Sequence, residues 1–218
     1  MHHLDTMRKY ILLGLLLFFF KTYSQPTRTR EAVVIADSLL KSQIGDRLFR
    51  YFSISEGSYY SYSDSRNKKW TGKVLGKKRL PKSFVTLNFL YHFNYPEIKG
   101  VKGGLWLIVD KDFKLIDTLN FEFIPKFISN NKPSEFISVD SALTIVESNI
   151  KPNNYKISTP SLAYNDKIKQ YTYSALHDLT IILNNAGKDI GEFEIIEINA
   201  TTGSLISIDK GYKGIIIR

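Results

Sequence analysis

Apolar residues follow a helical period in two separate segments of the chain. In the first, residues 29–43, the apolar side consists of Ala32, Val33, Ala36, Leu39 and Leu40. Glycine readily takes the left-handed backbone conformation at a helix C-terminus, so Gly45 can end this helix. The pattern predicts an amphipathic helix with one buried face.

The second helical segment begins near Ser138. Serine is a favourable N-cap, and Asp140 lies in the first turn, where the helix dipole favours a negative charge. The apolar positions that follow are Ala142, Leu143, Val146 and Ile150. This segment therefore predicts a second helix of the same kind.

The two helical segments match position by position. Residues 32–41 read AVVIADSLLK and residues 142–151 read ALTIVESNIK, so most apolar positions coincide, Ser38 coincides with Ser148, and Asn149 stands where the first segment has Leu39. The match predicts that the chain contains a duplicated domain.

Strand patterns follow each helical segment. Candidate strands are residues 52–55, 84–93, 155–158, 169–173 and 179–183. The clearest hairpins are residues 105–117 and 194–207, and Gly203 suits the turn of the second one. We therefore predict an α+β fold of two tandem repeats, each with a helix packed on an antiparallel sheet.

The N-terminal residues have the order of a signal peptide. Arg8 and Lys9 precede an apolar run of 11 residues at 10–20, and polar and small residues follow up to Ser24. A membrane-spanning helix needs roughly 20 apolar residues, so we expect cleavage of residues 1–24 and no transmembrane anchor afterwards. The alternative is a buried helix of the mature fold. The predicted location is periplasmic or extracellular.

Composition shifts divide the remaining chain into three regions. We predict a first repeat at residues 28–124, a linker at 125–135 that carries two prolines, and a second repeat at 136–218. The first repeat is about 21 residues longer between its helix and its hairpin. A basic insertion at residues 65–82 accounts for most of this difference.

The net positive charge of the chain is concentrated in that insertion. The whole chain has a formal charge of +9, and residues 65–82 contain eight lysines or arginines and no acidic residue. Tyrosines alternate with serines just before it. The predicted binding residues are Arg66, Lys68, Lys69, Trp70, Lys73, Lys77, Lys78, Arg79, Lys82, Tyr59, Tyr60 and Tyr62.

Two other interpretations of this region stay open. The insertion could be a solvated loop, and the tyrosines could alternate in a strand with half of them in the core. If the region binds a partner, we expect a separate envelope protein, an anionic glycan or a lipid head group. Nucleic acid is disfavoured because an exported protein rarely meets it.

The sequence contains few features that indicate catalysis or metal binding. It has no cysteine, which excludes disulfides and thiolate metal sites, and it lacks the common hydrolase, zinc-peptidase and phosphate-loop motifs. His92 and His177 have no partner at metal-ligand spacing, and we interpret both as core or strand-surface residues. We interpret the acidic pairs Asp110 with Asp112 and Glu192 with Glu194 as solvated charge. No cofactor, metal or catalytic residue is predicted.

The second half resembles the PepSY family of small secreted domains. The likeness lies in Ser141, Ala142 and Leu143 of the helix and in residues 196–206, IEINATTGSLI, and it covers about residues 130–208. The resemblance implies an α+β fold without chemistry of its own, which binds or restrains a peptidase or another envelope protein. That partner would be a separate chain.

These observations predict a non-enzymatic function. We expect an exported binding or inhibitory module of the bacterial cell envelope that contacts its partner through the basic insertion. The alternatives are an envelope enzyme that acts on glycan with an unrecognised carboxylate site, and a structural component of the envelope.

Overall fold

The structure is a computed structural model. It describes residues 28–63, 66, 68–76, 78–81, 83–155, 157–183, 187 and 189–214. The predicted signal peptide, residues 1–24, lies outside the described residues. No helix in the described part of the chain is both long enough and apolar enough to cross a membrane.

The described chain is an α+β protein with few helices. The helices are α1 (Thr29–Phe49), α2 (Lys126–Ser129) and α3 (Val139–Asn149). The strands are β1 (Phe52–Ile54), β2 (Tyr59–Ser63), β3 (Lys69–Lys73), β4 (Phe84–Asn94), β5 (Lys102–Asp110), β6 (Ser161–Asn165), β7 (Gln170–Asp178), β8 (Ile182–Leu183), β9 (Asp189–Asn199) and β10 (Leu205–Lys213).

The strands form two five-stranded antiparallel sheets. In the first, the order is β1-β4-β2-β3, and β5 also pairs with β4. In the second, the order is β10-β9-β7-β6, and β8 also pairs with β9. The predicted fold class is confirmed at this level, and the tandem repeat stays a prediction.

The chain divides into two compact units that are not contiguous in sequence. Unit 1 contains residues up to 43, 56–89 and 107–117, and unit 2 contains residues 44–55, 90–106 and those from 118 onward. Helix α1 and strands β4 and β5 each contribute to both units.

Helix α1 gives unit 1 part of its core. Ala32, Ala36 and Leu40 are fully buried, as the helical spacing predicts. The span to Phe49 consists of two helical segments joined across a kink at Gly45, where the backbone is not helical, with φ 75° and ψ 163°. Gly45 therefore ends the first segment with a positive φ, as predicted, and a second helical segment follows it.

Helix α3 belongs to unit 2 and begins as predicted. The Ser138 hydroxyl accepts a hydrogen bond from the backbone N–H of Ser141 at 3.0 Å, which satisfies one of the donors at the helix start. Ala142 and Val146 are fully buried. The helix contacts strands β7 and β9.

The hairpin predictions differ in outcome. The hairpin at residues 194–207 is confirmed as β9 and β10, and Gly203 has the expected positive φ of 72°. In the hairpin at residues 105–117 the second arm is reduced to one bridge, between Val109 and Leu115. Asp110 explains this, because its carboxylate accepts the N–H groups of Asp112 and Lys114 and draws the chain into a turn.

Other strand predictions need correction. Ile157 forms only an isolated bridge to His177, and residues 179–183 reduce to β8 because the N–H groups of Leu179 and Thr180 both bond to the carbonyl of Glu192. Strands β3 and β6 were not predicted as strands, and β2 corresponds to the strand alternative for the tyrosines at residues 59–62. The predicted linker is partly folded, since it contains α2 with Phe127 and Ile128 buried.

Candidate functional site

The basic insertion is built into the first sheet. Strand β3 lies within it and pairs with β2, and Val74 and Leu80 are buried on the C-terminal side of β3. A loop that was only solvated would bury neither residue. Lys77 and Lys82, two of the predicted binding residues, lie outside the described residues.

The pairing of β2 with β3 separates the predicted binding residues. Directly opposed residues of an antiparallel pair share a face, and successive residues alternate between faces. Lys73 is directly opposite Tyr59, and Trp70 is directly opposite Tyr62. The two pairs are an odd number of positions apart along each strand, so they lie on opposite faces of the sheet. Of the predicted binding residues, the first face carries Tyr59, Lys69 and Lys73, and the second carries Tyr60, Tyr62 and Trp70.

Tyr60 and Trp70 illustrate what the second face does. Tyr60 is buried, and it lies so close to Gly72 that a Cβ there would collide with its hydroxyl. Trp70 is 49% exposed on the same face. The tyrosines therefore lie in a strand, and Tyr60 belongs to the core, which is the strand alternative given above for these residues. Arg66 and Lys68 are exposed.

Four cationic side chains from two distant segments line one cleft of about 430 Å³. They are Arg28, Arg30, Lys78 and Arg79, and we call this site the basic cleft. Lys78 and Arg79 were predicted from the insertion. Arg28 and Arg30 were not, although the sequence carries a signal in their alternation with threonine at the start of the first helix.

Backbone contacts hold the two segments of the basic cleft together. Arg28 and Arg79 form an antiparallel bridge, and the N–H of Thr29 donates to the carbonyl of Lys78 at 3.3 Å. Buried Leu80 anchors the segment from the insertion directly after Arg79. The cationic residues are thus attached to fixed backbone on both sides of the cleft.

The basic cleft also lies at the start of helix α1, where the helix dipole is positive. The Glu31 carboxylate accepts the backbone N–H of Arg28 at 3.2 Å. Within the described residues, no ion pair joins Arg28, Arg30, Lys78 or Arg79 to an acidic side chain. The cleft therefore keeps an excess of positive charge.

Unit 2 contains a buried pair that sequence reasoning missed. His177 Nδ1 lies 2.8 Å from Glu194 Oε1, and the two residues are 1% and 8% exposed. They are directly opposed on β7 and β9. The interpretation of Glu194 as solvated charge is therefore wrong, whereas His177 is a buried strand residue, as predicted. The i, i+2 spacing of Glu192 and Glu194 hid this pairing because it depends on strand register.

The pair does not extend into a metal site. Among the described residues, no group of three or more histidine, cysteine, aspartate or glutamate side chains converges. His177 lines a cleft of about 220 Å³ with Glu147 and Tyr155. The hydrogen bond between His177 and Glu194 fixes the orientation of the imidazole ring within the sheet.

A second cleft in unit 2 has a different character. It has a volume of about 250 Å³, and we call it the aromatic cleft. The side chains that define it are Trp106, Thr118, Asn120, Glu122, Tyr164 and Asp166. Burial, and next the nearby Glu122 carboxylate, raise the pKa of the Tyr164 phenol above its usual value. The phenol therefore stays protonated at neutral pH.

Comparisons of this chain with family models, with curated proteins and with solved structures find no match. The two clefts are therefore interpreted from their geometry and chemistry. The resemblance to PepSY domains stays a prediction.

Proposed function

We propose that this protein is an exported, non-catalytic binding module that holds an anionic group of a partner in the basic cleft. The observation that carries the proposal is the convergence of Arg28, Arg30, Lys78 and Arg79 on one concave site. Two of these residues come from the helix start and two from the insertion, so the fold itself creates the concentration of charge.

The side chains in the basic cleft suit carboxylates and phosphates. An arginine guanidinium is planar and presents paired N–H donors that match both groups, and hydrogen bonds to charged groups contribute about 1.5–3 kcal/mol each. The start of helix α1 adds a favourable dipole. Glu31 is the one carboxylate bonded to a lining residue in the described part of the chain, and it offsets one of four positive charges.

Two kinds of partner carry the required group. One is an acidic segment of a separate envelope protein, which the resemblance to PepSY domains favours and which would give the module an inhibitory role toward a peptidase. The other is the phosphate of a lipid head group. A concave site of about 430 Å³ suits a discrete projecting group better than a flat surface.

The experiment measures binding by the mature chain that starts at Gln25. Three probes distinguish the sources: a hexaglutamate peptide, phosphatidylglycerol vesicles and inorganic phosphate. The test variant is Arg28→Ala/Arg79→Ala. The matched control is Lys132→Ala/Lys210→Ala, which removes two exposed positive charges elsewhere. We expect at least one probe to bind, about tenfold or more weaker in the test variant, and to weaken as salt is added.

Two results would contradict the proposal. Equal weakening in the test and control variants would mean that only net charge matters. Absence of binding to all three probes would contradict the proposal that the basic cleft holds an anionic group. Circular dichroism of each variant checks that the fold is retained.

One observation favours the alternative of a glycan-acting enzyme. Glu122 and Asp166 line the same cleft, and glycosidases use two carboxylates across a cleft. Release of new reducing ends from cellohexaose or chitohexaose, abolished by Asp166→Asn, would support this alternative. The absence of cleavage with both substrates would count against it.

A further inference from the structure

The aromatic cleft presents a large aromatic side chain on an otherwise regular strand. In β5 the residues Leu105, Leu107 and Val109 are buried, as alternation requires. Trp106 points to the other face and is 44% exposed. Gly104, two residues earlier, also lines the cleft. The strand thus offers an indole ring beside a position without a side chain.

Aromatic packing fixes one wall of the cleft. Phe123 packs so tightly on Gly103 that a Cβ there would collide with its ring, and its ring centroid lies 5.7 Å from that of Phe93. Its carbonyl accepts a buried hydrogen bond of 2.6 Å from the Tyr171 hydroxyl. Tyr171 lies 5.3 Å from Tyr164, between ring centroids, so one residue contacts both sides of the cleft.

Hydrogen bonds and one ion pair within the protein position the polar groups of the cleft before any ligand binds. The Asn120 side-chain oxygen accepts the N–H of Glu122 at 2.8 Å, and its nitrogen donates to the Glu122 carboxylate at 3.3 Å. Lys169 Nζ lies 3.5 Å from the same carboxylate. Asp166 and Thr118 provide further acceptor and hydroxyl groups at the lining.

We propose that the aromatic cleft binds one ring of a neutral saccharide chain. Sugar rings have an apolar C–H face that packs on an indole, and hydroxyl groups that donate to carboxylates and amides. A cationic ligand is the main competitor, but Glu122 already has an ion-pair partner in Lys169, which leaves Asp166 as the one lining carboxylate without an ion pair among the described residues.

The size of the cleft agrees with a single ring. Drug-sized ligands occupy pockets of about 300–1,000 Å³, and this cleft measures about 250 Å³. A longer chain would therefore extend beyond the cleft and place one ring against Trp106. This inference goes beyond the anionic partner proposed for the basic cleft and does not depend on it.

Tryptophan fluorescence provides a direct measurement, because the chain has two tryptophans. The mature Trp70→Phe protein leaves Trp106 as the reporter, and it is titrated with cellohexaose, chitohexaose and hexalysine. Isothermal titration then compares Trp106→Ala with the matched control Trp70→Ala, which removes the other exposed tryptophan. Asp166→Asn tests the polar wall, and circular dichroism checks the fold of every variant.

We expect one of the hexasaccharides to change the Trp106 emission saturably, with little effect of salt and without cleavage. Trp106→Ala should weaken that binding about tenfold or more, whereas Trp70→Ala should leave it within about twofold. Salt-sensitive binding of hexalysine alone would overturn the proposal in favour of a cation site. Equal loss in the two tryptophan variants, or no saccharide binding, would also overturn it.

Discussion

The basic cleft and the aromatic cleft are built in different ways. The basic cleft joins two segments about 50 residues apart through a backbone bridge between Arg28 and Arg79, and it carries four positive charges. The aromatic cleft depends on side-chain packing around Phe123 and on the hydrogen bond from Tyr171. Its lining has two carboxylates and no cation.

This difference indicates how each site should respond to mutation. Charge in the basic cleft can be removed at the surface with little effect on the core. The aromatic cleft shares Phe123 and Tyr171 with the core of unit 2, so its binding and the stability of that unit should change together. Variants in the two anchoring residues, Phe123 and Leu80, test this contrast.

Phe123→Ala should have the largest effect. Phe123 is buried, and its ring contacts Phe52 and Phe93. Truncation of a buried phenylalanine lowers the free energy of unfolding by about 3–5 kcal/mol, a large part of the total for a typical domain. We expect loss of saccharide binding and retention of hexaglutamate binding. Urea unfolding measures the loss of stability, and titration with each probe measures binding.

Phe123→Leu is the second variant for this test, because the alanine variant can fail to fold. The leucine side chain keeps part of the packing, so this variant should lose less stability and less saccharide affinity than Phe123→Ala does. Unchanged saccharide binding in a folded Phe123→Ala protein would contradict the assigned wall of the cleft.

Leu80→Ala should reverse the pattern. Leu80 is buried directly after Arg79, and replacement of a buried leucine by alanine costs about 2–5 kcal/mol. The side of the basic cleft that carries Lys78 and Arg79 would loosen, so hexaglutamate binding should weaken while saccharide binding persists. The same titrations measure both. Loss of both hexaglutamate binding and saccharide binding in a folded protein would mean that the two clefts are not independent.

Local features of the sequence predicted much of the fold. The start of α3 at Ser138 and the hairpin turn at Gly203 depend on neighbouring residues, and both were predicted correctly. Strand β3 was not, because charges and a glycine dominate its five residues and its pairing with β2 is not local. A segment of this composition becomes a strand only when a partner strand supplies the hydrogen bonds.

The candidate sites were predicted less completely for the same reason. Lys78 and Arg79 were visible as part of a charge cluster, but Arg28 lies about 50 positions earlier and reaches the cleft through tertiary structure. The bond between His177 and Glu194 depends on the register of two strands. No spacing rule within one segment contains that information.

Tyr171→Phe should have an intermediate effect. The variant removes the hydroxyl that bonds to the Phe123 carbonyl at 2.6 Å, and loss of a buried hydrogen bond lowers the free energy of unfolding by about 1–2 kcal/mol. Thermal and urea unfolding measure the loss. Saccharide affinity should fall with it, and hexaglutamate affinity should not.

The same hydroxyl predicts a dependence on alkaline pH. Burial raises the pKa of Tyr171 above its ordinary value of 10.0, so the folded protein holds this proton more tightly than the unfolded chain does. Its contribution to stability is therefore complete below about pH 10 and is lost as the pH rises above that value. Unfolding midpoints between about pH 8 and pH 11 should fall less in Tyr171→Phe than in the wild type. An equal fall would contradict this assignment.

Tyr164→Phe should have the smallest effect, and the direction of the change in the free energy of unfolding is what tests the prediction. The Tyr164 hydroxyl is buried and has no hydrogen-bond partner among the described residues, whereas that of neighbouring Tyr171 has one. A buried polar group without a partner is costly, so its removal should leave the free energy of unfolding unchanged or raise it by about 1 kcal/mol. Urea unfolding of the two tyrosine variants side by side measures the difference. A loss in Tyr164→Phe as large as that in Tyr171→Phe would mean that both hydroxyl groups are bonded, and the distinction between the two walls of the aromatic cleft would disappear.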